Sequence, residues 1–391
     1  MAPAGTRPAS REEADAHIAA IRAKSLQHST DVDDPVISSL QNALLILSQQ
    51  KCPEPIQILR ELIYNADDNN HSPKPCSISF HLEERSDEQH ILHVEYNEDG
   101  FSLEDVTALC ALGKPRNGTR VPRKRKARNG EKGGTGFKSV FHVANIVEIH
   151  SGHFHFKFDC STTLGALVPI NLEPMRTNQE GAYTRISLYL DSKTIYDTFL
   201  TELNSFDNKT LLLLNFDRLT IQTESRHTLH STTFGLKGPP GRVISITEQD
   251  FLTGKLDTSR YIFFDEIIEV IDTRFGFGFR KIHLVAAFPW LENRPLATPQ
   301  STYTFLPMGS FGWKFIIHGN FLLNPHDGRF ENGNKWNSTI ISHIRELVVQ
   351  SIQTLADTGV HRYWYRWLGG DFEHGEVWNT IHDNILTGLK D

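Results

Sequence analysis

The stretch Glu61–His71, ELIYNADDNNH, decides how this chain is read. Leu59, Leu62, Ile63 and Ala66 recur at helical spacing, so the segment predicts an amphipathic helix with one apolar stripe. Glu61, Asn65 and Asp68 fall on the opposite side. That polar row is either a solvated helix face or the lining of a site, and spacing alone does not separate the two.

Downstream the period changes from helical to alternating. SISFHLEE and QHILHVEY read as half-buried strands, and the second runs into a tight turn in VEYNEDGF. A short helix is expected in GFSLEDVTALCALGK, then a long Gly-rich and basic loop, then the closely spaced glycines of GEKGGTGFKSVF at a helix entrance. Glycines there permit positive φ and close backbone approach, and the first N–H groups of a helix can hold phosphate oxygens. A glycine turn needed only for packing would look the same. Further strands are predicted at ANIVEIHS, HFHFKFD and TRISLYL, a helix at SKTIYDTFLTELNSF, and a mixed segment at LLLLNFDRLTIQ. Helices and strands do not alternate with a βαβ rhythm, so the class is α+β.

Upstream, Ser10 with Glu12 and Glu13 marks a helix start leading through ADAHIAAIRAKSLQ, and a second helix is expected in DPVISSLQNALLILSQQ. From about residue 241 the strands RYIFFDEIIEVI, KIHLVAAFPW, YTFLPM and WKFIIHGNFLL lead into a helix over NSTIISHIRELVVQSIQTLA. The expected organisation is an arm and lead-in helix at 1–34, a first domain at 35–240, and a second, smaller α/β domain at 241–391 ending in helices.

With 391 residues, 39% hydrophobic and 22% charged, the chain can build more than one core. A net charge of −7 excludes a surface built as a whole for nucleic acid or anionic membrane. The four cysteines, Cys52, Cys76, Cys110 and Cys160, have neither zinc-ligand nor disulfide-framework spacing, which fits a reducing compartment. No apolar run resembles a secretory signal or a membrane span, so a cytoplasmic or nuclear location without a membrane partner is expected. His150, His153 and His155 lack the further ligands of a metal site and are expected to be exposed strand histidines. No GxSxG nucleophile turn occurs.

Taken in order, ELIYNADDN, LCALGK, GEKGGTGFKSVF and the later FLPMGSFGWKFIIHGNFLL…KWN resemble the GHKL or Bergerat-fold ATPases. Within them they resemble most the sacsin-like and NO VEIN-like branch, whose ATPase domain is of the large heat-shock chaperone type. The resemblance implies a Bergerat α/β sandwich, Mg²⁺ and ATP as cofactors, and a slowly hydrolysing, chaperone-like conformational switch. It implies that Glu61 is the general base for the attacking water, that Asn65 ligates Mg²⁺, and that Asp68 supports the pocket. It places Gly133, Gly134, Gly136, Phe137 and Lys138 beside the phosphates, adds Gly100 and Lys114 as nucleotide contacts, and matches Thr184 to the threonine that assists at the adenine. A catalytic arginine from the following domain corresponds to Arg329 in LLNPHDGRFE, displaced by an insertion, although these residues also suit a surface turn. A protein client and dimerisation on nucleotide are implied at the same level.

The sequence also departs from that pattern. Where the wider family has DNGxGF, with an aspartate that reads the adenine amino group, this chain has YNEDGF. Alternation puts Tyr96 at the aspartate's position, with Asn97, Glu98 or Asp99 able to substitute if the turn shifts. A repurposed fold that binds or transforms a different small molecule is therefore the first alternative. The insert at about 113–132 takes the place of the family's mobile lid and carries RVPRKRKAR, Arg120 to Arg128. It reads as a solvated loop, a nuclear or nucleic-acid patch, or a source of phosphate contacts, and a nuclear nucleic-acid-associated ATPase is the second alternative.

Overall fold

The computed structural model describes residues 6–26, 37, 39–43, 46, 55–67, 76–86, 88–111, 137–174, 183–214, 216–225, 228–237, 243–272, 278–291, 294–304, 306–323, 330–331, 333–357, 364–368 and 376–389. Helices α1 (Arg11–Leu26) and α2 (Pro55–Asp67) precede strands β1 (Ser77–Ser86) and β2 (Gln89–Tyr96). Helix α3 (Leu103–Leu109) and a 3₁₀ helix (Phe137–His142) lead to β3 (Ala144–Ser151), β4 (Phe154–Asp159), β5 (Ile170–Asn171) and β6 (Thr184–Leu190). Helix α4 (Lys193–Asn204) and a second 3₁₀ helix (Asn208–Leu213) are followed by β7 (Arg218–Ser225), β8 (Thr228–Lys237), β9 (Val243–Asp250), β10 (Leu256–Asp272) and β11 (Gly278–Leu291). Strands β12 (Arg294–Pro295), β13 (Ser301–Thr304), β14 (Leu306–Ser310) and β15 (Ile316–His318) then lead to α5 (Lys335–Asp357), α6 (Tyr365–Leu368) and α7 (Glu376–Gly388). The class is α+β, as the irregular order of helices and strands predicts.

The strands join in one ladder, in the order β14-β13-β15-β11-β10-β9-β8-β7-β1-β2-β6-β3-β4-β5, with β12 beside β11. β1 pairs in parallel with β7 and antiparallel with β2, and β6 lies between β2 and β3. Alternation then sends Ile78, Phe80, Leu82, Leu92, Val94, Tyr96, Ile186 and Leu188 to one face, where they meet α1, α2 and α4. The predicted stripe of α2 closes this core: Leu59, Leu62, Ile63 and Ala66 are all buried.

A separate core forms where β10, β11 and β15 pack on α5, α6 and α7 through Phe288, Trp313, Ile340, Val348 and Trp367. A smaller cluster that includes Leu213, Ile244, Tyr261, Val285 and Tyr303 bridges the two. Among the described residues no helix is long and apolar enough to cross a membrane.

The opposite face of the first sheet is polar yet largely covered, because long side chains lie across it. His93 Nδ1 meets Ser187 Oγ at 2.8 Å and its Nε2 meets Glu83 at 3.3 Å. Arg185 pairs with Glu95, and the Tyr189 hydroxyl donates to Glu148 at 2.9 Å. His150, expected to be exposed, is buried, with its Nδ1 2.9 Å from that of His155, because the neighbouring strands on both sides shield it.

Burial, assisted by Arg185, lowers His93 to about 4, and burial together with His150 lowers His155 to about 4. The unfolded chain takes up these protons near the ordinary histidine value, whereas the folded chain takes them up only near 4. Their contribution to stability is therefore complete above about pH 6.5 and declines as pH falls through this window. Calorimetry from neutral to mildly acidic pH should show a falling Tm, and His93→Gln should make the decline shallower.

Candidate functional site

The turn after β2 is built around a buried acid. β2 ends at Tyr96, which pairs in register with Thr184 at the start of β6, and Thr184 pairs in turn with Ser151 at the end of β3. These three residues share the core face, so the ends of adjacent strands meet under the helices. Asn97 then ties the turn to β1: its Oδ1 accepts from the Ser77 N–H at 2.7 Å and its own N–H donates to the Ser77 carbonyl. The next side chain, Glu98, folds back to the strand ends with 2% of its surface exposed.

There the hydrogen bonds run in one direction. The Phe101 N–H donates to Ser151 Oγ at 2.8 Å, and the Thr184 hydroxyl donates to Glu98 Oε1. Ser151 Oγ and Thr184 Oγ1 are 2.5 Å apart, so the Ser151 proton is the one between them. Every donor in this series points toward the glutamate, and in a buried setting such bonds strengthen one another.

The backbone of the turn is as constrained as its side chains. Gly100 has φ +85°, and a Cβ there would lie 3.3 Å from both Cα and N of Gly152 in the β3–β4 turn. Only glycine accepts that conformation and that approach together. Asp99 faces Arg7 at 3.6 Å, and Arg7 Nε donates to the Gly100 carbonyl at 3.0 Å, so the N-terminal arm lies over the turn. Beyond it Ser102 and Asp105 form a reciprocal capping box that starts α3.

Two residues of the predicted polar row, Glu61 and Asn65, lie on helix α2. Glu61 and Asn65 are half-buried, one helical turn apart, while Leu62, Ile63 and Ala66 face the core that also holds Tyr96. Their oxygen donors are of the hard type that suits Mg²⁺, which prefers amide, carboxylate and phosphate oxygen. Asp68, Lys114, Gly133, Gly134, Gly136, Arg329 and the basic run Arg120–Arg128 lie outside the described residues.

Phe137 and Lys138 open the first 3₁₀ helix rather than an α-helix, and Phe137 and Phe141 both pack against the Phe158 ring. Lys138 is buried: its Nζ donates to the Ala166 carbonyl at 2.5 Å and lies 4.6 Å from the Phe158 ring centre. Burial lowers its pKa to about 8. Contact with a phosphate would require its release from this cage.

Glu98 and Ser151 are the residues hardest to find from sequence. Glu98 stands two positions past the end of β2, and its only signal is an acid in the first glycine's place. Ser151 carries no signal, since its role follows from strand register across fifty residues.

No family model matches the chain. It is 27% identical over 340 residues to Protein NO VEIN of Arabidopsis thaliana, an alignment covering 81% of this chain and 12% of that protein. The chain thus spans about an eighth of the relative's length. The similarity agrees with the branch to which the motifs point. The B-subunit of the DNA gyrase from Myxococcus xanthus superposes with a TM-score of 0.37 at 10% identity, over 88% of this chain and 99% of that one, a likeness too weak to argue from.

Thr184→Val should lower the urea midpoint by the equivalent of about 1–3 kcal/mol, since it strips Glu98 and Ser151 of a partner together. Thr184→Ser, which keeps the hydroxyl, should cost clearly less. Equal losses would mean that the methyl packing, not the series of hydrogen bonds, holds the turn.

Proposed function

We propose that this chain is a GHKL-type, Mg-ATP-binding and slowly hydrolysing ATPase that works as a chaperone-like conformational switch. The observation that carries the reading is the buried Glu98–Thr184 pair at the ends of β2 and β6. The motif resemblance calls for an acid and a threonine side by side at the adenine, and Tyr96 leaves the strand without that acid. Glu98 supplies it from the turn instead. A carboxylate offers about four lone-pair sites, so one that accepts from Thr184 can still accept from an exocyclic amine.

In this reading Tyr96 forms the floor of the base pocket and Asn97 fixes the turn through Ser77. Glu61 orients or deprotonates the attacking water, Asn65 would hold Mg²⁺, and Asp68 supports the pocket. The ion supplies charge neutralisation between the phosphate oxygens when bound. Gly133, Gly134 and Gly136 cradle the phosphates through backbone N–H groups. The resemblance assigns Arg329 the role of the arginine that acts on the γ-phosphate, and the basic insert stands at the sequence position of the family's lid.

Isothermal titration with Mg-ATP and Mg-GTP tests the base pocket. ATP should be preferred, and Glu98→Gln should abolish the preference while leaving residual affinity through the phosphates. Equal binding of both nucleotides by the native chain would remove Glu98 from base reading, and no binding at millimolar concentration would favour a repurposed pocket.

Turnover tests the polar row separately. Glu61→Gln should retain affinity and lose most hydrolysis, whereas Asn65→Ala should lose the Mg²⁺ dependence of binding. Arg329→Ala should slow hydrolysis with little change in affinity. Unchanged turnover in Glu61→Gln would exclude it as the base.

A further inference from the structure

The Gly100–Phe101 peptide unit is held at both of its ends. Its carbonyl accepts from Arg7 Nε at 3.0 Å, and its N–H donates to Ser151 Oγ at 2.8 Å. A peptide unit is a rigid plane, so a donor that fixes the carbonyl also fixes the direction of the N–H. Gly100, at φ +85°, leaves that plane free to rotate, and contacts from outside the turn must hold it. Arg7 and Ser151 do so from opposite sides.

From Arg7 inward, each group donates to the next. Arg7 donates to the Gly100 carbonyl, the Phe101 N–H to Ser151, Ser151 to Thr184, and Thr184 to Glu98. The series starts on a cation whose side chain is 38% exposed and ends on an acid that is 2% exposed. A charged donor at its head polarises the bonds behind it in the same sense. The ion pair of Arg7 with Asp99, at 3.6 Å and open to water, is the weaker contact, and the carbonyl bond is the one that leads inward. Arg7 is itself fixed in place. The Thr6 carbonyl accepts from the Leu103 N–H at 3.1 Å, Pro8 is buried, and the Ala9 N–H donates to Glu13 Oε2 at 2.8 Å. Helix α1 follows, anchored in the first core by Ala14 and Ile18.

We propose that Arg7 is a positioning residue for base recognition, setting the Glu98 carboxylate through the Gly100–Phe101 peptide, Ser151 and Thr184. Its part in base recognition rests on the reading of Glu98 as the acid that meets the base, whereas the link from Arg7 to Glu98 does not. The arm at residues 6–10 thereby acts on the buried acid from the surface. Displacing it changes base preference while every side chain around Glu98 stays the same.

NMR of the full chain, with glutamate carboxyls labelled with ¹³C, tests the link without nucleotide. Arg7→Ala should move the Glu98 carboxyl resonance and speed exchange of the Phe101 amide about tenfold, leaving the core-strand amides of Val94 and Leu188 unchanged. Arg7→Lys, which keeps a charged donor, should restore most of both. In a Thr184→Val background the series is cut, so Arg7→Ala should no longer move the Glu98 resonance, although the Phe101 amide still loosens. A Glu98 resonance indifferent to Arg7→Ala, or moved equally with and without the Thr184 hydroxyl, would overturn the link. Titration with Mg-ATP and Mg-GTP tests the role: Arg7→Ala should cut the preference for ATP about fivefold. A preference left intact would remove Arg7 from base recognition. Failure of the native chain to bind either nucleotide would remove that role together with the reading of Glu98, and the Glu98 resonance would still decide whether Arg7 sets the acid.

Discussion

Glu98 is a carboxyl group almost without contact with water, and that condition organises the ends of the strands around it. An acid in such a place is tolerated only when its oxygens are met by donors. Thr184 meets one of them, Ser151 supports Thr184, and the Phe101 N–H supports Ser151. For these donors to converge, β2, β6 and β3 must end in register, and the chain must reverse through Gly100 closely enough to touch Gly152. Register, turn and hydrogen-bond series are one arrangement, and each part depends on the others.

That arrangement explains which features can be read from the residues. The stripe of α2 is legible because a helical period is local, and the packing of Leu59, Leu62, Ile63 and Ala66 follows from it directly. The strands that carry Leu92, Ile149 and Ile186 are legible for the same reason, since alternation needs only a few neighbours. Glu98 is legible only as one of three candidates for the missing acid, because its side chain returns through a turn whose shape depends on Gly152, more than fifty residues away. β8 and β9 are equally hard to see. TLHSTTFGLK is rich in Ser and Thr and lacks a clean apolar alternation, and its strand character comes from pairing on both sides.

The two cores divide the chemistry as well as the packing. The first core holds α2 with Glu61 and Asn65 and the turn with Glu98, while the second is an aromatic assembly in which Phe315 and Trp367 lie against Phe288 beneath α5 and α6. A small shared cluster joins them, and the Tyr303–Asp207 hydrogen bond crosses the same region.

The unbroken ladder from β7 through β8 and β9 to β10 has a mechanical meaning. Halves joined by a flexible tether can swing about it, but halves joined by rungs of backbone hydrogen bonds cannot part without breaking those rungs. The compliant deformation of such a ribbon is a change in its twist, which spreads a little strain over every strand. A relative movement of the two cores that kept these rungs would be torsional and graded along the ribbon, shared among the pairings of β7, β8, β9 and β10.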